Sequence, residues 1–264
     1  MLRRKMFRDI KNNLSQFITI FFMVFIGVLA YTGIESYMMG MQKTADKFYK
    51  QNNLQDLNVI GANFTTTDLD DIKKIGHVNN AERKLSITTK TDNDKTLLTN
   101  FIESNNISKF YIVKGEKFDI NKKGVWLDNF YAEKNNLKIG DKITIKYDGY
   151  VFKEKIVGFI NVPDHVYDVK DESELYPDHK EFGFAYLSVN ELESYIKHNA
   201  MNKLGVDEET LEKMNFNYKD ELIFNYIMVD VDKKKNASLV KKNIEKEIEN
   251  AKAIINIVPP ENDN

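Results

Sequence analysis

The side chains best suited to chemistry crowd into one stretch, residues 163–181, which carries Asp164, His165, Asp168, Asp171, Glu172, Glu174, Asp178 and His179. Carboxylate oxygens and imidazole nitrogens at that density are the donors a divalent ion takes. Their spacing matches no coordination register, and acidic surface loops are common. A solvated loop is therefore the preferred reading, with ion binding as the alternative. The other two histidines, His77 and His198, stand alone, and no H-E-x-x-H pattern occurs. The chain has no cysteine, which excludes disulfides, thiolate metal sites and a cysteine nucleophile. It also lacks a Gly-rich phosphate loop ending in Lys-Ser/Thr, a G-x-G-x-x-G turn and a G-x-S-x-G elbow. Trp126, the single tryptophan, reads as core within a strand and not as a ligand platform. The expectation is a protein that is not itself catalytic, with no cofactor and no metal site.

The elements that must position these residues begin with an apolar segment. No charged residue occurs from 12 to 34, and residues 17–34 (FITIFFMVFIGVLAYTGI) are almost wholly apolar. At ~1.5 Å per residue such a helix matches the ~30 Å hydrocarbon core of a bilayer. Arg3, Arg4, Lys5, Arg8 and Lys11 precede it against one anion, Asp9. This lead-in carries +4, and since the whole chain carries −2, the remainder carries −6. Basic residues before a span keep that end in the cytoplasm, so the rest is expected outside. A mildly acidic body excludes nucleic acid as an expected partner. Leu2, Met6, Ile10 and Leu14 recur every four residues, as in a short helix lying on the inner leaflet. A cleaved signal peptide, with 28–30 as the small-residue site, is the alternative. The apolar run continues past that cut, which favours an anchor, and without cysteine there is no lipoprotein.

The expected organisation is a lead-in over 1–16, a membrane helix over 17–37, a stalk over 38–52 and an extracytoplasmic domain over 53–264. Met38, Met41, Ala45 and Phe48 keep a three-to-four-residue rhythm beyond the span. Short β-rich and helical runs then alternate. Strands are expected at 57–61, 86–91, 107–114, 125–127, 142–147, 150–160, 181–187, 226–231 and 254–258, and helices at 68–75, 129–135, 189–198 and 234–252. Asp148-Gly149 between two alternating runs is a hairpin signal. Residues 199–222 are expected to form a polar surface insertion. The fold class is α+β: one membrane helix with its stalk, then a mixed α/β domain with a β-rich middle between two helix–strand portions.

Three segments carry a resemblance. The opening RDIKNNLSQFITIFFMVFIGVLAYTGI, the stretch TADKFYKQNNLQDLNVIG, and NNLKIGDKITI followed by KIVGFI together resemble the N-terminal part of FtsX-like, MacB-type ABC transporter permeases of Gram-positive bacteria. The third contains that family's Leu-x-x-Gly-Asp-x-Ile element as Leu137, Gly140, Asp141 and Ile143, followed by Val157 and Gly158. Gly140-Asp141 reads as a tight turn into a strand with Ile143 and Ile145 facing inward, an architectural element. The terminal PPENDN is similar to the linker before the family's second membrane helix. The resemblance implies a cell-membrane protein with a MacB-like core domain outside, further membrane helices beyond this chain, and a separate cytoplasmic ABC ATPase subunit. It further implies a permease dimer, the lipid bilayer as a partner, and peptide- or lipid-type cargo handled outside the membrane. A membrane-anchored sensor or ligand-binding module is the alternative, and an anchored exterior enzyme a third.

Overall fold

The computed structural model describes residues 5, 8, 10–165, 178–214, 223–248 and 251–255. Two compact units divide the chain, Met1–Phe48 and Tyr49–Asn264. The first is built on helix α1 (Leu14–Gln51), which buries none of its residues. It is the one described helix long and apolar enough to cross a membrane. Its 38 residues give about 57 Å at ~1.5 Å per residue, well beyond a bilayer core. Thr19 and Thr32 donate their hydroxyls to the carbonyls of Ser15 (2.9 Å) and Val28 (2.8 Å), so they present no bare donor to lipid. Of the expected lead-in stripe, Leu2 and Met6 lie outside the described residues.

In the second unit, β1 (Leu57–Ile60), α2 (Thr66–Lys74) and β2 (Val78–Thr91) lead into a long insertion, after which β9 (Tyr226–Val231), α6 (Ala237–Glu247) and β10 (Lys252–Ile255) complete the pattern. These strands pair antiparallel in the order β10-β1-β9-β2, a split β-α-β-β-α-β arrangement. The two portions expected to flank the middle are thus woven into one sheet, with β1 between β9 and β10. Leu57, Val59, Ala81, Ile227, Val229 and Ala253 form one buried face, on which Leu69 and Ile72 of α2 and Val240 and Ile244 of α6 pack. Helix α2 starts at a capping box: Asp68 N–H donates to Thr65 Oγ1 and Thr65 N–H donates to Asp68 Oδ2.

The insertion adds β3 (Thr96–Ile102), β4 (Tyr111–Gly115), β5 (Val125–Asp128), α3 (Asn129–Lys134), β6 (Lys142–Tyr147), β7 (Tyr150–Asn161), β8 (Phe182–Ser188), α4 (Val189–Leu204) and α5 (Glu208–Lys213). Strand β6 pairs with β7 on one side and with the end of β2 on the other, so β2-β3-β8-β5-β7-β6 closes a six-stranded ring. Pairs β3/β8 and β5/β7 are parallel. The register turns Phe101, Leu187, Leu127, Ile156, Phe152 and Ile145 to one buried side, the ring interior. The opposite side carries a second core, with Trp126, Phe110, Phe184, Tyr186 and Ile160. The β6–β7 hairpin turns at Asp148-Gly149, whose φ angles of 42° and 82° are those of a type I′ turn.

Several expected boundaries are corrected. Strand β3 was not anticipated, and β2 begins at Val78 instead of 86. Residues 107–110 are irregular: Phe110 N–H donates to Asn105 Oδ1 and Lys109 N–H to the Asn52 carbonyl, not to a strand neighbour. Helix α4 runs past 198 to Leu204, where Gly205 at φ 67° caps it. Helix α6 stops at Glu247, short of 252, and β10 starts at Lys252 instead of 254. Residues 256–258 of the expected last strand lie outside the described residues. The compact unit starts at Tyr49, ahead of the expected 53, because the chain after the helix is tied down. The carbonyls of Asn52 and Asn53 accept from Lys109 N–H (2.8 Å) and Ser108 N–H (2.7 Å).

Candidate functional site

The Leu-x-x-Gly-Asp element lies between α3 and β6 and is held against β7. Gly140 adopts φ 97°, a left-handed conformation that a side chain would strain. Its N–H donates to the Ile156 carbonyl (2.8 Å), and Ile156 N–H donates to the Asp141 carbonyl (2.9 Å), which fastens the turn to β7. Asp141 Oδ2 accepts from Lys138 N–H at 2.8 Å and closes the turn on itself. Leu137 packs on the core, Ile143 and Ile145 are buried in the ring, and Val157 belongs to the outer core. A Cβ on Gly158 would lie 2.7 Å from Trp126 Cδ1, so the glycine makes room for the indole. Trp126 is fully buried and donates Nε1–H to the Glu116 carbonyl (2.8 Å). Leu137, Gly140, Asp141, Ile143, Val157 and Gly158 are thus brought together as scaffold around β7. Asp141 is the one titratable side chain among them, and it is exposed on the turn. Met38 and Met41 are exposed on α1, with Ala45 and Phe48 half-buried.

Three charged features rest on residues that went unmarked in the sequence, Glu82, Lys84, Glu154 and Glu191, the second of them joining the marked Asp164. Glu82 is buried and its carboxylate accepts from Asn106 N–H, Asn106 Nδ2 and Ile107 N–H, holding the loop that ties Asn52 and Asn53. Lys84, 2% exposed, reaches Asp164, 4% exposed, at 3.2 Å and lies 4.6 Å over the Tyr226 ring. Gln55 Nε2 also donates to Asp164 Oδ2. Burial would push the Asp164 pKa up, but the neighbouring His165 and Lys84 charges outweigh it and hold the pKa below the usual value. Third, Glu154 of β7 and Glu191 of α4 are both buried at the ring. Burial, then the Glu191 charge, pushes the Glu154 pKa up to about 7. Tyr195 hydrogen-bonds Glu154, accepts from Lys153 N–H (2.9 Å) and stacks edge-on against Phe152, while Lys123 supplies the opposing charge. One sequence signal could have found Glu154: it alternates with Phe152 and Ile156 on the inward side of the hairpin.

The 163–181 stretch divides. Asp164 is committed to Lys84, Asp178 caps Lys180 N–H (3.0 Å), and His179 stacks on Phe130 at 5.1 Å. Asp168, Asp171, Glu172 and Glu174 lie outside the described residues. Among the described residues no group of three His, Cys, Asp or Glu is placed to hold a metal ion.

No family model matches the sequence, and no curated protein does. Several solved structures are similar to the chain. One is the extracellular domain of the noncanonic ABC-type transporter YknZ from Gram-positive bacteria, 12% identical, covering 74% of this chain and 99% of that one, TM-score 0.44. Another is the periplasmic region of MacB from Actinobacillus actinomycetemcomitans, 10% identical, covering 76% and 88%, TM-score 0.42. A third is a domain of a putative permease protein from Porphyromonas gingivalis, 12% identical, covering 77% and 88%, TM-score 0.33.

Proposed function

We propose that the chain is the membrane-anchored, extracytoplasmic part of an FtsX-like, MacB-type ABC permease, with its N-terminus in the cytoplasm. The observation that carries this is α1: a basic lead-in, then a charge-free segment whose Phe, Ile, Val and Leu side chains stay exposed on every side. Exposing that much apolar surface to water would cost ~25 cal/mol per Å², whereas a bilayer covers it. The domain works mechanically and is not itself an enzyme. A cytoplasmic ATPase drives the motion it transmits, and peptide- or lipid-type cargo is handled outside. The Leu-x-x-Gly-Asp turn is the stiff joint between α3 and β6, pinned to β7.

The native gene and its neighbours test this reading. The expected result is a reading frame with at least three further apolar spans after the codon for Asn264, beside a gene for an ATPase with a nucleotide-binding loop. A stop codon there with no such ATPase gene nearby would contradict it and favour a membrane-anchored binding module.

A further inference from the structure

A groove of about 600 Å³ lies among the described residues, between the loop after β3, the start of β4 and the segment before β5. That volume lies within the ~300–1,000 Å³ range of ligand sites. Its floor is aromatic: Phe110 is buried, and Phe118 meets it edge-on at 6.0 Å and Trp126 at 5.1 Å. Its charges are uneven in their commitments. Glu103 is held at both oxygens by Arg83, at 2.8 and 2.9 Å. Asp119 accepts from Asn121 N–H in its own loop. The ammonium groups of Lys109 and Lys117, both exposed, have no ion pair or hydrogen bond among the described residues. Arg83 neutralises Glu103, and Lys109 and Lys117 outnumber the remaining anion, Asp119, so the groove is cationic by one charge beside an apolar floor.

The rim adds a backbone. Strand β4 ends the sheet order, with β7 as its only strand partner among the described residues. Its first residues, Tyr111 and Ile112, line the groove, and a bulge between Ile112 and Lys114 interrupts the pairing with β7. An edge of that length can pair with a few residues of an extended chain but resists open-ended strand addition.

We propose that this groove binds a short acidic peptide segment in extended form. Its backbone lies along Tyr111–Ile112, an apolar side chain rests on Phe110 and Phe118, and its carboxylates meet Lys109 and Lys117. The site stands whether or not the chain belongs to a permease.

Trp126 reports occupancy, being the only tryptophan and in contact with Phe118. The full chain in phosphatidylcholine nanodiscs is titrated with an acetylated, amidated eight-residue peptide of alternating leucine and glutamate, and with its leucine–lysine counterpart. The expected result is a saturable change in tryptophan fluorescence with the glutamate peptide and binding at least about tenfold weaker for the lysine peptide. The double variant K109A/K117A, with both changes at exposed positions, keeps its melting temperature and loses about tenfold in affinity for the glutamate peptide. Equal binding of the two peptides, no binding of either, or unchanged affinity in the variant would overturn the proposal. So would saturation by phosphatidylglycerol in the nanodisc without peptide, which would make the groove a lipid site.

Discussion

Replacing Asp164 with alanine is expected to destabilise the folded domain by about 3–5 kcal/mol, the usual effect of removing one partner from a buried ion pair. Lys84 and Asp164 are 2% and 4% exposed, so water cannot replace the lost carboxylate at the ammonium. The Tyr226 face leaves the lysine some attraction, worth less than the ion pair. At this domain size the loss corresponds to a fall of roughly 10 °C in melting temperature, measurable by circular dichroism or calorimetry. The double variant K84M/D164L should recover much of it, because no buried charge is then left alone. A double variant as unstable as the single one would show that the pair acts through shape. The pH sign follows from the depressed Asp164 pKa. Its contribution is present above the ordinary aspartate value of 3.8 and is lost as pH falls through the lower folded value.

Glu154→Gln is expected to act in the opposite direction. The carboxyl titrates at about 7 in the fold against an ordinary 4.5, so the folded state holds the proton more tightly than the unfolded chain. Stability from this group is therefore full below pH 4.5, falls as pH rises toward 7 and is level above it. At 1.36 kcal/mol per pKa unit the penalty at pH 8 approaches about 3 kcal/mol. Glutamine keeps the shape and the hydrogen bonds of the protonated form. E154Q should therefore be more stable than the parent at pH 8, by up to that amount, and nearly equal to it at pH 4. The groups facing Glu154 are Glu191 and Tyr195 of α4, with Lys123 as the opposing charge. Denaturant melts from pH 4 to 8 check the outcome. Parallel profiles for parent and variant would mean that Glu154 is already ionised without penalty.

How much of this was legible in the sequence depended on whether one element's own pattern decided the matter. The β6–β7 hairpin was legible because Asp148-Gly149 and the alternation of Phe152 and Ile156 are local signals. Helix α1 was legible because charge is absent over a whole bilayer's length. Strand β3 was not, since Thr96–Ile102 is buried on both faces and so has no alternation to read. The early part of β2 was hidden for the opposite reason. Asn79, Asn80, Glu82 and Lys84 look like a polar loop, yet Glu82 and Lys84 are buried against loop 104–107 and Asp164 from distant parts of the chain. Distant pairing also hid the interleaving of β1 between β9 and β10. The Leu-x-x-Gly-Asp element could be read as a turn, but its fastening to β7 and the fit of Gly158 under Trp126 are three-dimensional facts.

The central claim is that α1 anchors the chain with the domain outside, and the absence of cysteine gives a direct measurement. Lys11→Cys and Thr67→Cys each introduce a single thiol at an exposed position, one before the helix and one on α2. Cells expressing each variant are treated with a membrane-impermeant maleimide, intact or permeabilised, and the labelled chain is sized and extracted at alkaline pH. The predicted result is labelling of T67C in intact cells and of K11C only after permeabilisation, with both chains uncut and retained in the membrane. Labelling of K11C from outside, or T67C recovered on a shortened, released chain, would contradict the account.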